Sequence, residues 1–244
     1  MLTARYQDGR YLERVPQWHA PDAPWKSAQV LMMLARHQLS PRSVCDVGCG
    51  AGEILARLQG SLGGARLVGY DISNQAIALC KPKENAQLTF RHGDLLREPG
   101  EVFDLLLSLD VLEHVADYLG FLAALRPRAR WFIFHIPLDL NLHAVARGSR
   151  HLLHMRERYG HLHYFTAETA LATLSDAGFR VVDSAFTWDH EPAPARANAM
   201  KAALTNPGRW ATHLLEALVF RLSPSTAARW RPGYNLLVLA NTTS

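Results

Sequence analysis

Apolar positions along the chain follow two alternating rhythms. Residues 25–39 carry Ala28, Leu31, Met32, Leu34 and Ala35 at the three- and four-residue spacing of an amphipathic helix, which Ser40-Pro41 closes. Beyond it, β-rich runs at Ser43–Val47, Arg66–Asp71, Leu88–His92, Phe103–Leu109 and 130–136 alternate with helical stretches. Those stretches are Glu53–Gln59, 74–81, Tyr118–Leu125 and 166–177, the last capped by Gly178. Two more runs, 179–187 and 234–240, bring the strand count to seven. Apolar runs alternating with helices predict an α/β fold, a mostly parallel sheet of seven strands covered by helices on both faces.

Two segments break the rhythm. Residues 137–163 follow the fifth strand and carry His143, His151, His154, His161 and His163 with several arginines. An insertion after a strand's carboxyl end overlies the ligand crevice of such a sheet, so this is the expected substrate region. Residues 191–232 separate the last two strands with a Pro/Ala-rich linker and an amphipathic stretch, 210–222. After Glu191, the bases Arg196, Lys201, Arg209, Arg221, Arg229 and Arg231 face a single acid, Glu216. The stretch is expected as a lid packed on the core, with a membrane-surface or dimer helix as the alternatives. Residues 1–24 lack periodicity and read as an arm before a main domain, 25–244.

Composition narrows the class without naming a task. Of 244 residues, 48% are hydrophobic and 20% charged, which is ordinary for a globular chain and excludes a disordered one. A net charge of +4 does not call for a nucleic-acid partner. The opening residues carry no apolar leader, and no run reaches the ~18 apolar residues of a membrane span, so a cytoplasmic protein is expected. Cys45, Cys49 and Cys80 have no paired zinc spacing and are expected as buried thiols.

The chemistry concentrates at Asp46-Val47-Gly48-Cys49-Gly50-Ala51-Gly52, between the first strand and the next helix. Glycines there let a ligand approach the backbone. A dinucleotide site has Gly-x-Gly-x-x-Gly, with a pyrophosphate at the helix N-terminus. Here the third glycine comes one position early and Glu53 takes its place, an acid that opposes a pyrophosphate. The Asp46 carboxylate suits a cationic amino-acid moiety instead. Tyr70-Asp71-Ile72 ends the second strand some twenty residues on, where a carboxylate can bond both ribose hydroxyls. Gly93-Asp94-Leu95 follows the third strand, and Asp104 to His114 covers the fourth.

These elements, in this order, resemble the class I S-adenosylmethionine-dependent methyltransferases from about residue 25 to 183. Pro137-Leu138-Asp139-Leu140 and Gly160 to Phe165 extend the likeness to the broad bacterial methyltransferase-domain group. The resemblance implies a Rossmann-like fold and S-adenosylmethionine as cofactor. It would be held by Asp46, Gly48, Gly50, Gly52, Tyr70, Asp71, Ile72, Asp94, Leu95 and Asp110. Arg126-Pro127-Arg128-Ala129 departs from the Lys-Pro-Gly-Gly that many relatives carry before the fifth strand.

Methyl transfer from a sulfonium is an in-line displacement, and a hydroxyl acceptor benefits from a general base. His114, His135 and His163 are the candidate bases, with His161 beside them. Asp110, Glu113 and His114 resemble a divalent-metal site of the ubiquinone-pathway O-methyltransferases and the small-RNA 2′-O-methyltransferases, although similar Glu-His pairs occur in relatives without metal. Trp25-Lys26 could close over the cofactor, with Lys26 near its carboxylate. The expected function is methyl transfer to a small-molecule hydroxyl. An RNA 2′-O-methyltransferase and a non-catalytic S-adenosylmethionine-binding protein stay open, as do peripheral membrane contact and a monomer or homodimer.

Overall fold

Seven strands form one sheet in the order β3-β2-β1-β4-β5-β7-β6 in a computed structural model, which describes Tyr6, residues 10–15, 17–18, 20–98, 100–188, Leu215 and 218–242. The strands are β1 Ser43–Val47, β2 Arg66–Asp71, β3 Leu88–His92, β4 Phe103–Leu109, β5 Ala129–Pro137, β6 Phe179–Trp188 and β7 Tyr234–Thr242. All neighbouring pairs among β1 to β5 are parallel, and β7 alone runs antiparallel, between β5 and β6. The expected α/β architecture is therefore present, with strand ends within a residue or two of those read from the apolar runs.

Alternation along the buried strands divides the core in two. Cys45, Leu106, Phe132 and Phe134 face one side, and Val44, Leu105, Leu107 and Ile133 face the other. Helices α5 Tyr118–Leu125 and α8 Ala167–Asp176 cover the first side through Leu122, Leu125, Ala170 and Leu174. Helices α2 Ala23–Arg36, α3 Glu53–Gln59 and α4 Asn74–Cys80 cover the second through Val30, Met33, Leu55, Leu58 and Ile77. Cys45, Cys49 and Cys80 are all buried free thiols. After β1 the chain moves to one flank of the sheet and after β4 to the other. That reversal opens a crevice above the carboxyl ends of β1 and β4, where open α/β sheets bind ligands.

The differences from the sequence reading lie outside the sheet. Helix α2 begins at Ala23 because Pro24 occupies its first turn, and it ends before Gln38, whose φ is +53°. The arm contributes a short helix, α1 Arg10–Arg14. The insertion folds into α6 Leu142–Ala146 and α7 Arg150–Arg158, each too short to show a period in sequence. Asn141 caps α6 by accepting a hydrogen bond from the Ala144 N–H at 3.0 Å. Of the stretch 210–222, residues 210–214, 216 and 217 lie outside the described residues, as do the linker and Arg196, Lys201, Arg209 and Glu216. Residues 218–222 are helical, and Phe220 stacks on Tyr234 with ring centroids 5.3 Å apart. Helix α9 Pro224–Trp230 follows and leads into β7.

Gly69 in β2 allows close packing, since a Cβ there would meet Phe90 Cδ1 at 2.5 Å and Cys49 Sγ at 2.9 Å. Gly69→Ala is expected to lower stability by about 1–3 kcal/mol in urea unfolding. Gly63→Ala, with nothing within 4 Å of the added carbon, should stay within about 0.5 kcal/mol of the parent.

Candidate active site

A cleft of about 1140 Å³ opens above the carboxyl ends of the strands. Its floor is the turn after β1, its far end is the insertion, and Tyr6, Tyr11 and Trp18 of the arm help to line it.

The glycine turn is held from beneath. The N–H groups of Gly48 and Cys49 donate to the Tyr70 carbonyl at 2.8 and 3.0 Å. The Gly50 N–H donates to Asp71 Oδ2 at 3.0 Å, and the Gly52 N–H to the Cys49 carbonyl at 2.9 Å. These donors are turned away from a ligand, so the turn is no nest for a phosphate. Gly48, Gly50 and Gly52 all have positive φ. A Cβ on Gly48 would meet Val111 Cγ2 at 2.6 Å, and one on Gly50 would meet Trp18 Cδ1 at 2.6 Å. A glycine-rich wall whose Gly48, Cys49 and Gly50 donors are already engaged, with carboxylates close by, fits a cationic nucleoside such as S-adenosylmethionine.

Those carboxylates are buried. Burial, followed by the charge of Asp71, pushes Asp46 up to about 7 against the pull of Lys26. Burial likewise raises Asp71 to about 6, although the Ser73 and Gly50 N–H groups favour its ionised form. Asp94 caps the turn over Leu95–Arg97, accepting from the Leu96 N–H at 3.0 Å. Leu95, Asp94, Ile72 and Tyr70 line the cleft beside it.

Asp110, at φ +55° just after β4, joins two elements. Its Oδ2 pairs with Lys26 Nζ, and its Oδ1 lies 2.5 Å from His135 Nδ1. Burial opposes its ionisation, but Lys26 and His135 outweigh that and hold the carboxyl well below the usual range. The other nitrogen of His135 is 2.9 Å from Thr187 Oγ1, and Trp25 packs edge-on against the ring at 5.6 Å.

At the far end, ligand-capable atoms of Glu113, His114 and His161 lie within 4.8 Å of one another. Backbone pairing causes this convergence: the N–H groups of Leu162 and His163 donate to the Glu113 carbonyl at 2.7 and 3.2 Å. Glu113 is 1% exposed and its carboxyl oxygens make no hydrogen bond. Burial, then the charges of Asp110 and Asp139, push it well above the usual carboxyl range. His161 Nδ1 lies 2.5 Å from Asp139 Oδ2, and His114 Nδ1 lies 3.0 Å from the Tyr6 hydroxyl. Burial works against Asp139, but His151 and His161 keep it below the usual range.

Gly48, Gly50, Tyr70, Asp71, Ile72, Asp94, Leu95, Asp110 and His114 thus line one cleft, whereas Asp46, Gly52, His135 and His163 lie outside its lining. Both ring nitrogens of His135 are engaged within the protein, and His163 Nε2 is 3.0 Å from the Val115 carbonyl. The set Asp110, Glu113 and His114 is not assembled around one point, because Asp110 turns to Lys26 and His135; His161 takes its place. Asp139 was missed in the sequence. Its signal was position, two residues past the end of β5 at the mouth of the crevice.

Comparison with known proteins identifies relatives. The profile of a methyltransferase domain matches residues 19–184. A ubiquinone biosynthesis O-methyltransferase of Parvibaculum lavamentivorans is 32% identical over 151 residues, covering 56% of this chain and 58% of that protein. Another, from Brucella anthropi, is 31% identical over 153 residues, covering 57% and 60%. The chain therefore spans less than two thirds of the length of these relatives. Among solved structures, magnesium protoporphyrin IX methyltransferase of Synechocystis with bound SAH aligns with a TM-score of 0.58 at 20% identity, covering 90% of this chain and 83% of that one. An N-methyltransferase of Bradyrhizobium japonicum in complex with S-adenosyl-L-homocysteine aligns at 0.56 and 17% identity, covering 92% and 89%. At such identities the likeness establishes the fold.

The raised acids carry a pH signature. Stability from a buried carboxyl whose folded pKa exceeds its unfolded one is present below the ordinary carboxyl range and is lost as pH rises through the folded value, here about 6 for Asp71 and about 7 for Asp46. In thermal melting of the ligand-free protein, Asp46→Asn should gain Tm relative to the parent as pH rises from about 5 to about 8. An unchanged difference across that range contradicts the buried-acid assignment.

Proposed function

Because the chain belongs to the methyltransferase-domain family, we propose that it transfers the methyl group of S-adenosylmethionine to a hydroxyl of a small-molecule acceptor. The observation that carries this reading is a single cleft with a glycine wall and Asp71 at one end and the Asp139–His161 pair at the other. An oxygen acceptor also agrees with the O-methyltransferase names of the relatives.

When bound, the sulfonium supplies an electrophilic methyl group for in-line displacement. The chain's own residues supply placement. Each Asp71 oxygen takes one backbone N–H and keeps a lone pair for a ribose hydroxyl. Asp94 and Leu95, which line the cleft, would border the adenine, and the arm residues Tyr11 and Trp18 would exclude water above the turn. Asp139, held ionised, accepts a hydrogen bond from the His161 Nδ1–H at 2.5 Å, which leaves Nε2 as the basic nitrogen. That nitrogen would accept the acceptor's hydroxyl proton while the methyl C–O bond forms and the C–S bond breaks to release a neutral thioether, and Asp139 would stabilise the resulting imidazolium.

A second reading rests on buried Glu113, whose carboxyl oxygens make no hydrogen bond and of which Oε1 lies 3.7 Å from His114 Nε2. A divalent cation would be held by Glu113, His114 and His161, with Asp139 and Tyr6 fixing the far ring nitrogens. Its charge would favour the ionised hydroxyl and the ionised form of Glu113.

Calorimetry should show S-adenosylhomocysteine binding to the parent and at least about tenfold weaker binding to Asp71→Ala; equal binding by the two removes the donor assignment. With a panel of phenols and alcohols, His161→Ala is expected to lower kcat about 10²–10⁴-fold without loss of cofactor affinity. Activity that persists in chelator supports the histidine base. Loss in chelator with rescue by magnesium supports the cation instead.

A further inference from the structure

Most exposed large apolar side chains of a monomer are scattered singly. Here several fall on α6, α7 and the 218–230 segment, of which α7 also borders the cleft. Helix α6 exposes Leu142 and Val145, three positions apart on one face, at 57% and 56%. Helix α7 is two-sided. Leu152 is buried and His151 and Met155 line the cleft, while Leu153 is 55% exposed on the outer side between Arg150 and Arg156. Helix α9 packs against α6 and ends at Trp230, 61% exposed, and Leu222 just before it is 77% exposed.

The same elements concentrate positive charge. Residues 142–158 and 218–231 hold seven arginines and one acid, Glu157, an excess larger than the net +4 of the entire chain. Arg147, Arg150, Arg156, Arg158 and Arg221 are exposed, and Arg229 pairs with Glu168. The two arginine segments meet in space, since Arg147 of the first and Arg231 of the second both act on His143, where burial and these charges lower the pKa.

We propose that this face docks on the surface of an anionic lipid bilayer. Leucine and valine side chains among arginines match the boundary between acyl chains and phosphate headgroups. Arginine binds phosphate through paired N–H groups. A second copy of this chain fits less well, because a two-fold contact would set one arginine cluster against another. RNA also fits less well, because the exposed apolar groups are mostly aliphatic rather than stacking rings. No helix among the described residues is long and apolar enough to cross a membrane, so the contact is interfacial. Docking would set the cleft mouth, bordered by α7 and by Pro232 and Gly233, beside the lipid headgroups.

The full chain should co-sediment with phosphatidylcholine vesicles containing phosphatidylglycerol, and release as salt rises. Val145→Asp with Leu153→Asp, and separately Arg147→Glu with Arg150→Glu, should each weaken that binding by about tenfold or more while S-adenosylhomocysteine affinity is retained. Equal binding to phosphatidylcholine alone overturns the proposal, as does vesicle binding untouched by both double variants. It is equally overturned if vesicles are ignored while the substitutions dissociate a dimer in sedimentation velocity or abolish binding of single-stranded RNA.

Discussion

The carboxylate of Asp71 ties the glycine turn to the sheet, and the cleft depends on that tie. One oxygen accepts from the Gly50 N–H and the other from the Ser73 N–H, so the turn after β1 and the start of α4 share one anchor. Cys80 on α4 adds a thiol contact to the Gly50 carbonyl at 3.1 Å. The Gly48, Cys49 and Gly50 N–H groups are thus taken up from below, and those three positions offer no donor to a ligand. Loss of Asp71 would free the Gly50 and Ser73 N–H groups and untie the turn from the start of α4.

The acids around the cleft are sorted by their partners. Asp110 and Asp139 are largely removed from water, yet Lys26 and the imidazoles of His135, His151 and His161 keep them ionised. Asp46 and Glu113, 2% and 1% exposed, are buried more deeply than Asp110 and are pushed toward the neutral form, although Lys26 pulls on Asp46 and His114 Nε2 lies 3.7 Å from Glu113 Oε1. Cations in closer contact offset burial at Asp110 and Asp139, and do not at Asp46 and Glu113. The consequence is a cleft whose charge can respond to what enters it: a cationic ligand near Asp46, or a cation beside Glu113, would favour the ionised acid and be held by it.

Much of the scaffold was legible in the sequence because it follows from local rules. Buried strands read as apolar runs, and Gly178 ends α8 where the helical spacing stops. The glycine spacing of Gly48, Gly50 and Gly52 and the acids Asp46 and Asp71 marked the expected donor end; of these, Gly48, Gly50 and Asp71 line the cleft, and Asp46 and Gly52 lie outside its lining. The acceptor end was less legible. His135 sits at the end of a strand, as expected, but its ring turns inward to Asp110 and Thr187, and sequence gives no direction to a side chain at a strand terminus. Asp139 and His161 are separated by two short helices whose apolar residues point both inward, as at Ala144 and Leu152, and outward, as at Leu142, Val145 and Leu153, so no period announced them.

The sequence by itself determined the strand order's raw material, the bare turn and the acids beside it, because each depends on neighbours within a few residues. Tertiary structure decided which histidine meets which acid. That pairing depends on Leu162 and His163 docking on the Glu113 carbonyl, and on Lys26 reaching Asp110 from the first long helix. Both contacts join residues distant along the chain, and only the packed sheet brings them within hydrogen-bond reach.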